Sequence, residues 1–297
     1  MNFDIAPWIP CCKCNAPIVV DSSNYKKYFY NDPIMCTGCN SHIDWWEIVR
    51  RAIKDNLFEN QVFATLGAES KIIAIYLEPE KKVKINLSEH GIPPDARILY
   101  INYTPQGGDL FPIEMHGNIP HRRGHRNEIV VYPVPFSNSN GGSRTKVSVM
   151  VTWINHSPDE VSLINITDSF EYYSNGHYQD CIVPANVSVE SALSKLLTSY
   201  ISKIASKNRT ENFLTNDATY SSQLNVVLPM IVKFHKAPTL TDTIRGQLNK
   251  LRGFRNDIAH NGTTKKELNK DDTADVLCAA LFGLNYIYLI DEIIKNA

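Results

Sequence analysis

Apolar residues are spaced differently in the middle and at the end of the chain. Between residues 70 and 183, short runs rich in Val, Ile, Thr and aromatic residues are separated by turn-forming pairs such as Pro-Pro and Gly-Gly. In the run 147–153 the odd-numbered residues are apolar, which predicts a half-buried strand. The other strands are predicted at 71–77, 83–87, 98–103, 128–132 and 162–170. Short strands at this spacing are typical of a β-sandwich or an open barrel.

After Pro184 the apolar residues recur with the helical period. Ser188 precedes the first apolar stripe as a candidate N-cap, and Asn261-Gly262 is a pair typical of helix ends. The helices are predicted at 189–204, 224–232, 242–260 and 272–296. About four such helices predict an all-α helical bundle over residues 184–297.

The first 44 residues are rich in cysteine and carry two C-x-x-C pairs, Cys11 with Cys14 and Cys36 with Cys39. Each pair places two thiolates on one tight turn, and two such turns supply the four tetrahedral ligands of a closed zinc site. We therefore predict one structural Zn²⁺ bound by these four cysteines, in a module that resembles a zinc ribbon. Cys12 either is a spare thiol or replaces Cys11 as a ligand.

A short polar-to-apolar transition follows the cysteines. Asp44 with Glu47 three positions on, followed by apolar residues, predicts the capped start of a helix. The resulting prediction is a multidomain α+β chain. Its parts are a zinc-ribbon-like module at 1–44, a linking helix at 45–69, a β-sandwich-like domain at 70–183 and a helical domain at 184–297.

Composition and charge also indicate where in the cell the protein is expected. The 297 residues carry a formal net charge of -1, so the whole chain lacks the electrostatic signature of a nucleic-acid coat or a membrane-surface protein. The first residues show no secretory leader pattern, and no segment approaches the roughly 18 uncharged apolar residues of a membrane-spanning helix. We therefore expect a cytoplasmic protein whose cysteines stay reduced.

The segment with the clearest chemistry is Arg255-Asn256-Asp257-Ile258-Ala259-His260, at the end of a predicted helix. RNA can be cut without a metal when its own 2′-OH attacks the adjacent phosphate. This reaction needs a group that moves protons near neutral pH, and histidine has an ordinary pKa of about 6.5. It also needs a permanent cation at the phosphorane, which arginine supplies through a planar fork that matches phosphate oxygens.

Arg255, Asn256 and His260 at this spacing resemble the R-x4-6-H motif of the HEPN superfamily, and the resemblance covers roughly residues 187–297. It implies a metal-independent endoribonuclease, either a toxin or an antiviral-defence effector. The implied catalytic residues are His260 for the proton, Arg255 for the phosphorane and Asn256 for positioning. The implied assembly is a homodimer in which two copies of the motif meet. The front two modules would then bind a regulatory ligand or protein and restrain the nuclease.

The same residues also have ordinary structural roles open to them. Arg255 can pair with Asp257 or with an acid on a neighbouring helix, and His260 can cap carbonyl groups at the helix C-terminus. The alternative function is a noncatalytic RNA- or protein-binding adaptor that dimerises through a HEPN-like domain. Residues 233–270 hold nine Lys and Arg against three Asp and Glu, and nine minus three gives +6. This excess indicates either an RNA-binding surface or a solvated helix face.

Overall fold

The structure is a computed structural model that describes residues 8–55, 68–114, 124–125, 128–135, 143–155 and 161–297. The chain is mixed α+β and divides into two compact units. Of the described residues, 8–55 and 161–297 form the helical unit, and those between 68 and 155 form the sheet unit. The cysteine-rich segment therefore belongs to the same unit as the C-terminal helices.

The helical unit begins with a small hairpin and two helices. These are the strands β1 (Trp8–Pro10) and β2 (Pro17–Val19) and the helices α1 (Ser22–Tyr30) and α2 (Trp45–Lys54). The carboxylate of Asp44 accepts a hydrogen bond from the backbone N–H of Glu47 at 3.2 Å, so the predicted cap of α2 is confirmed. Residues 56–67 of the predicted linking helix, 45–69, lie outside the described part of the chain, and its last residue, Glu69, belongs to β3.

The rest of the helical unit follows residue 160. Its helices are α3 (Val161–Ser174), α4 (Ile182–Ile201), α5 (Lys207–Asn212), α6 (Tyr220–Ser222), α7 (Leu228–Phe234), α8 (Asp242–Asn261) and α9 (Lys270–Asn296). Two π-helical turns, Phe213–Asp217 and Gln223–Val227, follow α5 and α6. Helix α8 ends at Gly262 in the left-handed conformation, as predicted. Ser188 is buried inside α4, so its prediction as an N-cap is wrong.

One predicted strand is a helix. The segment 162–170 was predicted as β because it contains Ile, Thr and an aromatic residue, but it lies within α3. Its apolar residues Leu163, Ile166 and Phe170 recur with the helical period and are buried. Thr167 donates its hydroxyl proton to the carbonyl of Leu163 at 3.0 Å, which satisfies a polar group inside the helix. Tertiary burial of one helical face thus overrides the local β propensity.

Helix α9 is the core of the helical unit, and Phe282 lies at its centre. The ring of Phe282 contacts the rings of Tyr25 and Tyr28 on α1, with centroids 4.7 Å and 5.1 Å away. It also contacts Trp46 on α2 at 5.1 Å. The cysteine-rich segment and the C-terminal helices therefore share one core, whereas the sequence predicted separate modules joined by a linking helix.

The apolar character of α9 also corrects an expectation about membranes. Lys270–Asn296 is long and apolar enough to pass the length and composition test for a membrane span. However, 78% of its most apolar window is buried inside the unit, which is typical of a core helix. The expectation that no segment approaches such a composition was wrong. The helix is weak evidence for a membrane because packing already accounts for its apolar residues.

The sheet unit consists of antiparallel sheets. Its strands are β3 (Glu69–Leu77), β4 (Val83–Asn86), β5 (Arg97–Gln106), β6 (Leu110–Glu114), β7 (Gly124–His125), β8 (Glu128–Pro135) and β9 (Thr145–Ile154). They pair in the orders β3-β9-β5-β7 and β4-β8-β6. Buried residues from both sheets form a single hydrophobic core, to which Val147, Val149 and Val151 contribute as the alternation predicted. Strands β6 and β7 were not predicted.

The position of Phe282 makes a stability prediction. Phe282→Ala should lower the free energy of unfolding of the helical unit by about 3–5 kcal/mol, because a fully buried ring is removed from an aromatic cluster. Tryptophan fluorescence during urea unfolding measures this, since Trp8, Trp45 and Trp46 lie in that unit.

The matched control is Phe234→Ala. Phe234 is 76% exposed on α7, so its removal should change the free energy of unfolding by no more than about 0.5 kcal/mol. Equal effects of the two substitutions would contradict the assignment of α9 as the core.

Candidate functional site

Each cysteine pair folds into the same type of tight turn, here called a knuckle. The first knuckle is 11–16 and the second is 36–41. In each, the backbone N–H of the first cysteine donates to the carbonyl five residues on, at 2.9 Å and 3.0 Å. The N–H four residues on donates back to the carbonyl of that cysteine, at 3.0 Å and 2.9 Å. The two turns are therefore local copies of one another.

The knuckles bring four sulfur atoms together. The Sγ atoms of Cys11 and Cys39 are 3.9 Å apart, and those of Cys14 and Cys36 are 3.6 Å apart. All four lie within 4.8 Å of one another. A tetrahedral ion with metal–sulfur bonds of about 2.3 Å separates its ligands by roughly 3.8 Å. The four predicted ligands therefore fit a metal ion.

The structure also answers which cysteine begins the first pair. Cys11 is buried and belongs to the cluster, whereas Cys12 is exposed and lies outside it. One sequence signal for the knuckles was missed. Asn15 and Asn40 follow the second cysteine of each pair and have φ angles of 58° and 52°. Asparagine tolerates this left-handed conformation better than most residues, so the repeated C-x-x-C-N pattern predicts both turns.

The thiol pKa values are consistent with a site that needs a cation. The Ser41 hydroxyl, 2.8 Å from the Sγ of Cys39, and the Ser41 backbone N–H lower the pKa of Cys39 to about 6. At Cys14 the backbone N–H of Ala16 favours the thiolate, but burial and the neighbouring sulfurs outweigh it and raise the pKa to about 12. Four crowded thiolates repel one another, and a bound divalent cation keeps all four deprotonated.

The Arg–His motif lies in the last two turns of α8. Arg255 and Asn256 are partly buried, and His260 is exposed. The guanidinium of Arg255 donates to the side-chain carbonyl of Asn256 at 3.2 Å. Asn256 and His260 are four residues apart and share one side of the helix. Arg255 and His260 are five residues apart, which corresponds to about 140° around the helix axis.

The two structural roles considered for this motif are filled by other groups. Asp257 pairs with Lys265 at 3.5 Å, and Arg255 has no ion pair among the described residues. The end of α8 is closed by the backbone N–H of Gly262, which donates to the carbonyl of Ile258 at 2.8 Å. Among the described residues, His260 forms no hydrogen bond to a carbonyl group. Both side chains are therefore open to a ligand.

Fewer cations of 233–270 are available to a ligand than the sequence suggests. Four of its nine cations pair with acids, and one of those acids, Asp272, lies outside the counted segment. The pairs are Arg245–Asp242 at 3.7 Å, Lys250–Asp272 at 3.2 Å, Lys265–Asp257 at 3.5 Å and Lys266–Asp272 at 2.7 Å. Hydrogen bonds from Lys266 and Lys250 lower the pKa of Asp272, which keeps it charged. Arg252 and Arg255 form no such pair within the described ranges.

Comparisons with protein-family models, with curated proteins and with solved structures found no match to this chain. The HEPN resemblance therefore depends on the motif of α8 alone. The zinc-ribbon resemblance depends on the two knuckles and the hairpin β1–β2.

Close contact between the knuckles makes a further prediction. A Cβ atom at Gly38 would lie 2.5 Å from the Cβ of Ala16 in the other knuckle. Gly38→Ala should therefore separate the knuckles, lower the melting temperature and reduce the bound metal per chain, as measured by elemental analysis.

Two controls test this reason. Adding Ala16→Gly to Gly38→Ala removes the opposing methyl group and should restore part of the metal content, because the new Cβ still lies 3.2 Å from the Sγ of Cys14. Gly246→Ala on α8 meets nothing within 4 Å and should be neutral or stabilising, by up to about 1 kcal/mol. Full metal content in the single Gly38→Ala variant would show that the knuckles are not packed as described.

Proposed function

We propose that the ion at the four cysteines is Zn²⁺ and that its role is structural. Four thiolates in a compact tetrahedral arrangement are the donor set that zinc prefers, and such a site keeps no open position for a substrate. The local similarity of the two knuckles and the hairpin β1–β2 support a zinc-ribbon-like segment. Cys11, Cys14, Cys36 and Cys39 hold the ion, and Ser41 stabilises the Cys39 thiolate.

We infer that the protein is a metal-independent endoribonuclease of HEPN type. The supporting observation is that Arg255 and His260 are open on one end of α8, while Lys265 and Gly262 fill the structural roles that these residues would otherwise have. A basic side chain with a fixed charge and an imidazole on adjacent turns form a suitable pair for phosphodiester chemistry. A toxin or antiviral-defence role follows from the family resemblance, and a cytoplasmic location remains our expectation.

In the proposed reaction the ribose 2′-oxygen attacks the adjacent phosphorus. A new O2′–P bond forms, the bond from phosphorus to the 5′-oxygen breaks, and the products carry a 2′,3′-cyclic phosphate and a 5′-hydroxyl. His260 moves the proton between the 2′-hydroxyl and the leaving oxygen. Arg255 stabilises the charge that develops on the phosphorane oxygens. Asn256 holds Arg255 through its side-chain carbonyl and lies one turn before His260.

The proposed assembly is a homodimer. Arg255 and His260 point to different sides of α8, so one copy of the motif does not bring both side chains to the same phosphate. A second copy of the motif, from the partner in a dimer, would complete the site. The cysteine-rich segment and the sheet unit are then free to bind a regulatory ligand or protein. RNA is the proposed substrate.

The zinc proposal predicts a matched pair of cysteine variants. Elemental analysis of the purified wild type should give about one zinc per chain. Cys36→Ser should lose most of the zinc and lower the melting temperature, because metal binding stabilises the folded state. Cys12→Ser should keep the zinc, since Cys12 lies outside the cluster.

Because α1 and α2 pack on α9, the loss of stability in Cys36→Ser should extend to the whole helical unit. A wild-type protein with well under one zinc per chain after metal-replete expression would contradict the proposal.

The nuclease proposal predicts cleavage of RNA in EDTA. His260→Ala and Arg255→Ala should each reduce the rate by at least about 10²-fold, and Asn256→Ala should reduce it less. The products are identified by their end groups in mass spectrometry. Neither main substitution should shift the melting temperature by more than about 2 °C, because a substitution at an open side chain costs little stability.

Arg209→Ala is a matched control for Arg255→Ala, since Arg209 is exposed on α5. The assay uses the full chain, because α1, α2 and α3 cover α9. Sedimentation of the same preparation should give the mass of a dimer. If the protein binds RNA and leaves every substrate intact, the enzyme proposal fails and a noncatalytic adaptor takes its place.

A further inference from the structure

The segment between α3 and α4 contacts the end of α8. The side-chain amide N–H of Gln179 donates to the backbone carbonyl of Gly262 at 3.2 Å. The hydroxyl of Thr263 donates to the side-chain oxygen of Gln179 at 2.8 Å. One amide group therefore uses a donor and its acceptor on two consecutive residues, which follow α8 directly.

The backbone that leads to Gln179 is fixed by the end of α3. Gly176 adopts a left-handed conformation with a φ angle of 80°. The backbone N–H of His177 donates to the carbonyl of Tyr172 at 2.9 Å, and the N–H of Gly176 donates to the carbonyl of Tyr173 at 3.0 Å. This pair of bonds is the Schellman pattern, which closes a helix and sets the direction in which the chain leaves it.

Side chains hold the same segment in place. The ring centroids of Tyr173 and Tyr178 lie 5.5 Å apart. The hydroxyl of Tyr173 donates to the carbonyl of Lys270, at the start of α9, at 3.3 Å. The thiol of the buried Cys181 donates to the carbonyl of Tyr178 at 2.9 Å. Gln179 therefore extends from a turn that is tied to α3 and α9 and leads directly into α4.

The end of α8 is exposed to solvent. The last carbonyl groups of a helix have no partner within the helix. Here the backbone N–H of Gly262 donates to the carbonyl of Ile258 at 2.8 Å, and Gly262 turns the chain with a φ angle of 75°. Both Gly262 and Thr263 are exposed. Because exposed helix ends fray, the two hydrogen bonds of Gln179 limit the motion of this end.

His260 lies two residues before the carbonyl that Gln179 holds. Two residues of chain span at most about 7 Å, so the held group and His260 belong to the same turn. The imidazole is exposed, and no described residue forms a hydrogen bond with it. Its position therefore depends on the backbone of α8. Proton transfer requires an imidazole within hydrogen-bond reach of the reacting oxygen, so this backbone must be held in place.

We propose that Gln179 is a positioning residue for His260. Its two hydrogen bonds hold the end of α8, and with it the imidazole, in the place that proton transfer requires. The inference rests on the proposed ribonuclease function and adds to its site a residue from the segment between α3 and α4. Gln179 contributes to the rate of proton transfer rather than to the binding of RNA.

The first measurement is cleavage of a single-stranded RNA in EDTA by the full chain, with kcat and KM determined separately. Gln179→Met keeps the length of the side chain and removes both hydrogen bonds. It should lower kcat about tenfold, within the roughly 10²-fold that a displacement of about 1 Å can cost, and leave KM within about twofold. Thr263→Val removes one of the two bonds and should lower kcat less.

Two further variants separate positioning from folding. Gln106→Met is the matched control, because it removes an exposed glutamine side chain that donates to the hydroxyl of Ser148 at 2.7 Å in the sheet unit. It should leave kcat unchanged. In a His260→Ala background, Gln179→Met should have no further effect, because the group that it positions is absent. A general loss of folded protein would instead lower the rate by the same factor in both backgrounds.

The second measurement does not depend on cleavage. In protein that carries carbon-13-labelled histidine, the imidazole Cε1–H signal of His260 is identified by its loss in His260→Ala. Gln179→Met should shift this signal, because the end of α8 is released. Gln106→Met should leave it in place.

The outcomes distinguish the role of Gln179 from the nuclease. If the wild type leaves RNA intact and Gln179→Met shifts the His260 signal, Gln179 still holds His260 and the enzyme proposal fails. An unchanged His260 signal in Gln179→Met overturns the role of Gln179, whatever the RNA assay shows. Cleavage by the wild type with an unchanged kcat in Gln179→Met also overturns that role and keeps the enzyme. So does an equal loss of rate with and without His260.

Discussion

The contact between Phe282 and the aromatic residues of α1 and α2 joins the two ends of the chain. Helix α9 is apolar on nearly all sides, and a helix of this kind must be covered by neighbours. Part of the cover comes from helices of the cysteine-rich segment, which precede α9 by more than two hundred residues in the sequence. Arg50 on α2 and Asp275 on α9 form an ion pair at 2.6 Å, which adds a polar contact between these two helices.

This shared core links metal binding to the helices that carry the Arg–His motif. A metal ion at the knuckles favours the folded form of the segment that leads into α1 and α2. These helices bury α9, and α8 packs in the same unit. The free energy of metal binding at the four cysteines would therefore add to the stability of the helical unit rather than to that of a detachable module. A fragment that begins at residue 184 would expose the face of α9 that α1, α2 and α3 cover.

Sequence patterns predicted the features that depend on near neighbours in the chain. The C-x-x-C pairs, the Asp44 cap and the glycine that ends α8 each act within a few residues, so their geometry follows from local chemistry. The strand predicted at 162–170 was wrong because its β-branched residues favour a strand, whereas the segment is buried against distant helices as a helix. The packing of α1 and α2 against α9 could not be predicted either, because no local pattern shows which surfaces of distant segments meet.

The charges around the Arg–His motif show the same limit of prediction from sequence. The excess of cations in 233–270 does not say which cations are available to a ligand, because acids inside and outside the segment neutralise some of them. Asp272 on α9 lies close enough to pair with both Lys250 and Lys266, and Asp257 takes Lys265. Five cations of the segment have no ion pair among the described residues, and two of these, Arg252 and Arg255, stand one turn apart on α8. Within the described residues no acid pairs with either arginine, so these are the two charges on α8 that an oxyanion would meet.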